Sequence, residues 1–211
     1  RVEEFASAHT QLCVRYLFEP KQGLSHARNA GIVAAEGEIL AFIDDDERIV
    51  EEFVEAYIDL FDCCSEAMSA GGKIIAEYPS GRPSWMSRYV EQPIANPMDF
   101  GPNVRRFPKG RIPGGGNMAC RREVFDRIGL FNTELGRTGK RLIGGEESDL
   151  LERAERCGMA CYYQPRAVMY HIIPESKLTE DYFDRLSYNT GVSQRRRAEV
   201  SGRVLRLYMF E

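Results

Sequence analysis

The segment ILAFIDDDER, residues 39–48, runs five consecutive apolar residues directly into three aspartates. An uninterrupted apolar run of this length predicts a strand that is buried on both faces of a sheet. The helical pattern LSHARNAGIVAAEG precedes this strand, with Ser25 as its candidate N-cap and Gly37 as its stop signal. Before the helix, LCVRYLF (residues 12–18) has the composition of another strand. Together they predict an α/β fold with a mixed, mostly parallel sheet and helices on both faces.

The rest of the chain continues as helices and strands around one proline-rich segment. Residues 77–114 contain seven of the ten prolines, and we predict an ordered loop on the substrate side. Helical spacing occurs in EEFVEAYIDLFDCC and GGEESDLLERAERCG, strand composition in AGGKII and MACYYQPRAVMYHII, and a turn, strand and helix in GGGNMACRREVFDRIG. We therefore predict one domain over residues 1–175 and a helical extension over residues 176–211.

Charge and apolar content exclude several classes of protein. The chain has 211 residues and a formal net charge of -4, so it lacks the basic excess that is typical of nucleic-acid-binding domains. No apolar run approaches the ~20 residues of a membrane-spanning helix, and RVEEFASAHT lacks the apolar stretch of a signal peptide. Six cysteines without paired metal-binding spacing favour reduced thiols. We predict a globular cytoplasmic protein without a nucleic-acid partner.

The three aspartates after the predicted strand, Asp44, Asp45 and Asp46, repel one another unless a cation offsets their charge. Ligand sites of open α/β sheets lie at the carboxyl ends of the strands. Carboxylate oxygens suit hard divalent ions, so the functional interpretation is Mg²⁺ or Mn²⁺ bound together with phosphate. The alternative is that these acids cap the following helix, whose dipole favours negative charge at its start. One acid would be enough for a cap, so three of them favour the metal.

A second acidic site lies at the start of GGEESDLLERAERCG. At about 100° per residue, Leu150 and Ala154 lie on the inward face of a helix, and Glu147 projects along the centre of that face. Asp149 points away from it. A carboxylate at the position of Glu147 could act as a general base toward an incoming hydroxyl group. Glu146 and Asp149 are the alternative candidates for this role. The alternative is helix capping by surface acids.

Other candidates carry weaker signals. His171 follows a strand pattern and could bind a metal ion, although a lone histidine is more often a structural hydrogen-bonding residue. Arg28 could meet a phosphate group, and the GGGN segment (residues 114–117) could bring backbone amides against a ligand or form only a turn. The arginines at 195–197 could contact an anionic membrane surface, but a solvated helix face explains them as well.

These segments together resemble the family 2 glycosyltransferases, which have a GT-A fold. GLSHARNAGIVAAEGEILAFIDDDE is similar to the helix and strand before the D-x-D motif of that family. GGGNMACRREVFDRIGLFNTEL is similar to its acceptor-side segment, and GGEESDLLERAERCG is similar to its catalytic helix. The resemblance implies an inverting, metal-dependent transfer of a sugar from a nucleotide-diphosphate donor to an acceptor hydroxyl group, in the synthesis of a bacterial polysaccharide or glycan.

Residue by residue, the resemblance implies that Asp46 binds Mn²⁺ or Mg²⁺, with His171 as a further ligand. It also implies that Glu147 is the general base, although the family usually has an aspartate there, which is one methylene shorter. Trp85 and Tyr89 are acceptor-side candidates that could stack on a sugar ring or simply pack the loop. The donor-binding candidates are Arg28, Asn29, Asp44, Asp45, Gly115, Gly116 and Asn117, with Asp44 on the nucleoside side.

Members of that family open with a strand, a helix and a second strand that hold the nucleotide, and this sequence starts beyond them. We therefore expect an N-terminally truncated GT-A domain with an incomplete donor pocket. The expected donor is a UDP- or GDP-sugar, and the expected acceptor is a glycan or a lipid-linked molecule at the inner face of the cytoplasmic membrane; a homo-oligomer is also compatible. Two alternatives stay open, a non-catalytic sugar-nucleotide-binding domain and an aspartate-nucleophile phosphohydrolase.

Overall fold

The computed structural model describes residues 2–139 and 142–202. Within them, the strands are β1 (Ile39–Phe42), β2 (Glu47–Ile49), β3 (Ala67–Glu77), β4 (Arg105–Arg106), β5 (Met118–Arg121) and β6 (Ala160–Ile172). The helices are α1 (Val2–Ala8), α2 (Leu24–Ala34), α3 (Phe53–Cys63), α4 (Arg88–Ala95), α5 (Arg122–Ile128), α6 (Glu146–Arg156) and α7 (Glu180–Val200). A 3₁₀ turn, Glu175–Lys177, lies between β6 and α7.

The strands form one mixed sheet. Along its main path the strand order is β1-β5-β3-β6-β2, and β4 pairs with β6. Among the described strands only β3 and β6 are parallel neighbours, whereas the other four pairs are antiparallel. The predicted mixed α/β class is confirmed, but the expected majority of parallel pairs is corrected. Three short strands are the reason: β5 lies antiparallel between β1 and β3, which run in the same direction, and β2 and β4 each pair antiparallel with β6.

Residues 12–18, LCVRYLF, do not form the predicted strand. They are irregular, and Tyr16 and Phe18 expose 68% and 76% of their surface. A strand needs a neighbour that completes its backbone hydrogen bonds. Within the described residues β1 ends the strand order and pairs with β5 alone, so no strand accompanies residues 12–18. An apolar composition favours a strand but cannot supply its pairing partner.

Alternate residues of β5 face opposite layers of the core. Met118 and Cys120 pack in one cluster with residues of α2, α5 and α6, whereas Ala119 packs in another cluster with residues of α3. The period of two along a strand produces this division. The sheet is therefore covered by helices on both faces, as the sequence predicts.

A third cluster joins the proline-rich segment to the C-terminal helix. Met86 and Ile94 pack with Leu178 and Leu186, and Trp85 packs against them. Helix α7 lies in the predicted extension but shares this core with the preceding residues, and the division into two domains stays a prediction. Residues 203–211 of the extension lie outside the described residues. No helix in residues 2–139 and 142–202 combines the length and apolar character that crossing a membrane would require.

The Asn117 side chain is fully buried where β3 and β6 change register. Its Nδ2 donates to the carbonyls of Lys73 at 3.0 Å and Ala167 at 3.1 Å, and its Oδ1 accepts from the Tyr57 hydroxyl at 2.5 Å. One of the two register shifts between these strands lies between Gly72 and Lys73. Since such an irregularity disrupts the hydrogen-bond ladder, a side-chain amide is needed to satisfy nearby carbonyls. The Asn117 amide is thus committed to the sheet.

We expect Asn117→Ala to lower the free energy of unfolding by about 2–3 kcal/mol or more, because buried carbonyls and a buried hydroxyl lose their partner. Asn103→Ala, at an exposed loop position, is the control and should change it by less than about 0.5 kcal/mol. Urea unfolding followed by circular dichroism measures both variants. Equal effects at the two positions would contradict a structural role for Asn117.

Candidate active site

The aspartate triplet lies between β1 and β2, beside a cavity of about 330 Å³. Asp44 and Asp46 line this space, which we call the central cavity, whereas Asp45 is exposed. The first turn of α6 and the glycine segment 114–116 form further walls of it. The two acidic segments that stand out in the sequence therefore meet at one place.

The Arg28 side chain on α2 joins these two acidic segments. Its guanidinium donates to Glu147 Oε1 at 2.8 Å, to Asp44 Oδ1 at 3.2 Å and to Glu146 Oε1 at 3.4 Å. The arginine side chain is 6% exposed and its contacts with the two glutamates are shielded from water, whereas Asp44 is 38% exposed. Arg28 thus binds protein carboxylates, and the phosphate contact expected from the sequence stays a prediction.

One guanidinium faces three carboxylates in this cluster. Burial disfavours the charged guanidinium, but the carboxylates of Glu147 and Asp44 outweigh burial and raise the pKa of Arg28. Burial and the neighbouring charge of Glu147 raise the pKa of Glu146. Glu146 Oε2 is also buried without a hydrogen-bond partner among the described residues, which penalises the ionised form. Its surroundings therefore favour the protonated form of Glu146 more than an exposed site would.

Gly115 and Gly116 allow the backbone to approach two carboxylates. A Cβ on Gly115 would lie 2.0 Å from Glu147 Oε1, and a Cβ on Gly116 would lie 2.0 Å from Glu47 Oε1. These separations are far shorter than van der Waals contact, so a side chain at either position would displace the acid. Glycine at positions 115 and 116 is therefore explained by the two carboxylates that lie against the backbone. The sequence alone does not show this contact.

Glu47 belongs to this site, although the sequence reasoning missed it. Its carboxylate accepts a hydrogen bond from the Asp44 N–H at 2.9 Å, and it lines the central cavity. Burial raises the pKa of Glu47 to about 7, although that hydrogen bond favours the charged form. The signal for it is its place directly after the aspartate triplet.

Asp46 and His171 lie together, and a lysine shares the Asp46 carboxylate. His171 Nε2 is 3.6 Å from Asp46 Oδ2, and Lys177 Nζ is 2.7 Å from the same oxygen. The His171 Nδ1 lies 2.9 Å from the Ala95 carbonyl, which can only accept, so Nδ1 carries a proton and Nε2 is the ring nitrogen that faces Asp46. Burial works against the ionised Asp46, but the Lys177 ammonium outweighs it and lowers the pKa of Asp46.

Three predicted site residues have partners away from the central cavity. Asn29 exchanges two hydrogen bonds of 2.9 Å with the backbone of Phe131. Asp149 pairs with Arg153 at 2.9 Å on the far side of α6. Asn117 is held in the sheet as described above. These polar side chains hold elements of the fold together, a role that residue type alone does not distinguish from ligand binding.

The predicted acceptor-side and membrane-side residues also lie elsewhere. Trp85 packs on the third core cluster, and Tyr89 is 74% exposed beside Arg88; neither lines the central cavity. The three arginines at 195–197 pair with Glu199, Glu134 and Glu152, respectively. Their pairing agrees with the simpler interpretation of a solvated helix face.

The chain belongs to glycosyl transferase family 2. The family model with the description Glycosyl transferase family 2 matches residues 1–129, a range that includes Arg28, the aspartate triplet and the glycine segment. The resemblance inferred from the sequence motifs is thereby confirmed. The phosphohydrolase alternative has no support from this match.

Two curated relatives are similar to most of this chain. A glucosyl-dolichyl phosphate glucuronosyltransferase of Haloferax volcanii is 24% identical over 179 residues, covering 84% of this chain and 56% of the relative. The succinoglycan biosynthesis protein ExoM of Rhizobium meliloti is 24% identical over 181 residues, covering 84% of this chain and 54% of the relative. The chain thus spans about half the length of the curated relatives it matches.

One solved structure shows the fold. GalNAc-T7, crystallised with UDP, GalNAc and Mn²⁺, has a TM-score of 0.58 and 18% sequence identity, with 88% of this chain and 38% of that chain covered. At this identity the likeness concerns the fold alone. It confirms the predicted GT-A fold.

We expect Glu146 to make the protein less stable as the pH rises. Its pKa is raised in the folded state, so between the ordinary value of 4.5 and the raised value the folded protein binds more protons than the unfolded chain. Stability therefore falls with rising pH across that window. Glu146→Gln should reduce this slope by up to about 1.4 kcal/mol per pH unit, because the amide does not titrate.

Urea unfolding at a series of pH values measures the slope. Glu123→Gln, which removes a half-exposed carboxylate from a surface ion pair, is the matched control. Identical slopes for the wild type and Glu146→Gln would contradict the raised pKa of Glu146.

Proposed function

We propose that the chain transfers a sugar from a nucleotide-diphosphate donor to an acceptor hydroxyl group, with inversion at the anomeric carbon. The observation that carries the proposal is the central cavity, where Asp46 and Glu147 face one space of about 330 Å³. This volume lies within the range of roughly 300–1,000 Å³ that is common for small-molecule sites. Membership of glycosyl transferase family 2 supports this class of reaction.

Glu147 is the proposed general base. Its side chain is 18% exposed, and Arg28 holds one of its oxygens at 2.8 Å. The carboxylate takes the proton of the acceptor hydroxyl as that oxygen forms a bond to the anomeric carbon and the bond from this carbon to the diphosphate breaks. A single displacement of this kind inverts the anomeric carbon, because attack and departure occur on opposite faces.

Mn²⁺ or Mg²⁺ is the proposed cofactor, with Asp46 and His171 as its ligands. Their facing oxygen and imidazole nitrogen are 3.6 Å apart, and this donor set suits Mn²⁺. In residues 2–139 and 142–202 no group of three or more histidine, cysteine or acidic side chains fits a metal ion. Diphosphate oxygens and water are therefore the remaining ligands we propose. When bound, the ion supplies positive charge to the departing diphosphate.

Lys177 is a competing cation at the proposed metal site. Its ammonium lies 2.7 Å from Asp46 Oδ2 and also lines the central cavity. Lys177 would have to leave that oxygen for a divalent ion to bind there, and its ammonium could then contact a diphosphate oxygen. Lys177 thus stabilises the ionised form of Asp46 when no divalent ion is present.

The proposed donor is a UDP- or GDP-sugar, with Asp44 and the backbone of Gly115 and Gly116 among its contacts. The proposed acceptor is a glycan or a lipid-linked molecule, in bacterial polysaccharide or glycan synthesis at the inner face of the cytoplasmic membrane. One relative is named for glucosyl-dolichyl phosphate and another for succinoglycan biosynthesis, which supports acceptors of these kinds. A homo-oligomer stays a prediction.

A donor screen tests the proposal as a whole. The protein is incubated with UDP- and GDP-sugars, Mn²⁺ and a panel of glycans, and products are detected by mass spectrometry; calorimetry with the same nucleotides measures binding. Transfer supports the proposal. Metal-dependent nucleotide binding without any transfer would instead favour the non-catalytic domain, and the absence of both would overturn the proposal.

Glu147→Gln should lower turnover by roughly 10²–10⁴, the usual contribution of a general base, and leave the donor dissociation constant unchanged. The amide keeps the size of the side chain but cannot accept a proton. Glu134→Gln, at an exposed surface carboxylate, is the control and should retain full turnover. Turnover of Glu147→Gln within twofold of the wild type would remove Glu147 from the role of base.

Asp46→Asn should abolish Mn²⁺ binding measured by calorimetry without nucleotide, and His171→Ala should weaken it. Lys177→Met should strengthen Mn²⁺ binding by about tenfold, which corresponds to about 1.4 kcal/mol, because the competing ammonium is removed. Lys109→Met, at an exposed lysine outside the central cavity, is the control. Mn²⁺ affinity that is the same in the wild type and Asp46→Asn would place the ion elsewhere.

A further inference from the structure

Two more cavities continue from the central cavity. The first, of about 400 Å³, shares Asn96, Gly115 and Glu147 with the central cavity and is lined on its other side by residues 110–113; we call it the bridging cavity. The second, also of about 400 Å³, shares residues 110–113 with the bridging cavity and lies against α6 and the start of β6; we call it the basic cavity. The three spaces adjoin in a row, with Glu147 lining the first two.

The segment between the bridging and basic cavities is cationic. Residues 105–111, RRFPKGR, contain four basic residues and no acid. Arg106 pairs with Glu66 at 2.6 Å, whereas Lys109 and Arg111 are exposed and have no ion-pair partner among the described residues. Lys109 lines the basic cavity, and Arg111 lines both it and the bridging cavity.

The acids that line the basic cavity do not balance the positive charge of Lys109 and Arg111. On the opposite wall Arg197 pairs with Glu152 at 2.7 Å, so these two charges offset each other. Glu155 is the remaining acid that lines the cavity. One acid therefore faces the two cations Lys109 and Arg111, and the cavity attracts a negatively charged group.

The turn that carries these cations is fixed at both ends. Phe107 packs edge-to-face against two aromatic rings, and Pro113 is buried. Between these anchors the Arg111 N–H donates to the Pro108 carbonyl at 3.0 Å, and Gly110 takes the positive φ of 77° that closes the turn. The cationic side chains thus project from an ordered turn, which reduces the entropy that a ligand must overcome.

The walls of the basic cavity are mixed, and eight of its eighteen lining residues are apolar. Its apolar lining residues are Phe107, Pro108, Ile112, Pro113, Leu151, Ala154, Met159 and Ala160. Cations next to this apolar group of residues fit a ligand in which an oxyanion is attached to a hydrocarbon chain, because the anion can contact the cations while the chain contacts the apolar side chains.

We propose that the acceptor is an amphiphile whose phosphate group binds to Arg111 and Lys109, with its hydrocarbon chain in the basic cavity and its reacting hydroxyl group in the bridging cavity beside Glu147. This inference rests on the proposed sugar transfer and names the class of its acceptor. The row of cavities supplies the geometry: Arg111 and Glu147 line the same space, so one acceptor molecule can contact both. Arginine is suited to this role because its guanidinium binds phosphate through two parallel hydrogen bonds.

Ligand binding without any donor tests the site. Hexyl phosphate, inorganic phosphate, hexyl glucoside and glucuronate are titrated into the protein, with binding followed by calorimetry and NMR. We expect hexyl phosphate to bind at least about tenfold more tightly than the other three probes, because it alone combines the anion with the chain. If hexyl phosphate and inorganic phosphate bound equally tightly, or if glucuronate bound more tightly than hexyl phosphate, the proposal of an amphiphilic acceptor with a phosphate group would be wrong.

The double variant Lys109→Gln, Arg111→Gln should weaken hexyl phosphate binding by about tenfold or more, since it removes charge-assisted hydrogen bonds. Arg105→Gln is the matched control, because Arg105 is a neighbouring exposed arginine that lines none of the three cavities. Its hexyl phosphate affinity should equal that of the wild type. Equal losses in the two variants would show only general charge attraction and would contradict the site.

Transfer assays separate this inference from the proposed function. If transfer occurs with the same kcat/KM for neutral and phosphate-bearing acceptors, the acceptor class is wrong and the sugar transfer stands. If no transfer occurs while hexyl phosphate binding still depends on Arg111, the proposed transfer fails and the anion site stands. If both hold, the double variant should raise the acceptor KM and leave kcat within about twofold, because its residues bind the acceptor without taking part in the chemistry.

Discussion

The ion pairs of Arg28 are the interaction on which the site depends. They join α2 to the end of β1 and to the first turn of α6, three parts of the chain that are distant in sequence. Without the guanidinium, the two glutamates of α6 would lose their cation in a region shielded from water, and removing one partner of a buried ion pair costs about 3–5 kcal/mol. The central cavity exists because a buried cation holds its acidic walls at a fixed separation.

The same principle explains how three consecutive aspartates are tolerated. Asp44 faces Arg28, Asp46 faces Lys177 and His171, and Asp45 between them is exposed to water. Asp44 and Asp46 thus each have a cation of their own. The repulsion among the three aspartates is therefore largely offset within the chain. A metal ion is therefore not required to hold the triplet in place, and its proposed role concerns the substrate.

Local patterns in the sequence were sufficient for the parts of this fold that depend on local physics. The strand β1, the glycine that ends α5 and the acidic start of α6 all fall where composition and capping predict them. The prediction that β1 is buried on both faces is wrong, because Leu40 is buried but Ala41 is exposed in this strand at the end of the described strand order. Features that depend on distant partners could not be predicted this way. Residues 12–18 lack a neighbouring strand, β5 inserts antiparallel, and Asn117 fills a sheet irregularity. Lys177 at Asp46 is likewise invisible in the sequence, because only folding brings it there.

The longer acid at position 147 and the glycine at position 115 are best understood as a pair. Glutamate places its carboxylate one methylene further from the helix than aspartate would, and that extra reach brings Glu147 Oε1 to within 2.0 Å of where a Gly115 Cβ would lie. A residue with a side chain at 115 would compete with the longer acid for this space, whereas a shorter acid would withdraw from it. Arg28 then restrains the extra rotatable bond by holding the same oxygen at 2.8 Å. A glutamate rather than an aspartate at position 147 is therefore accommodated by two local features, one that makes room and one that limits motion.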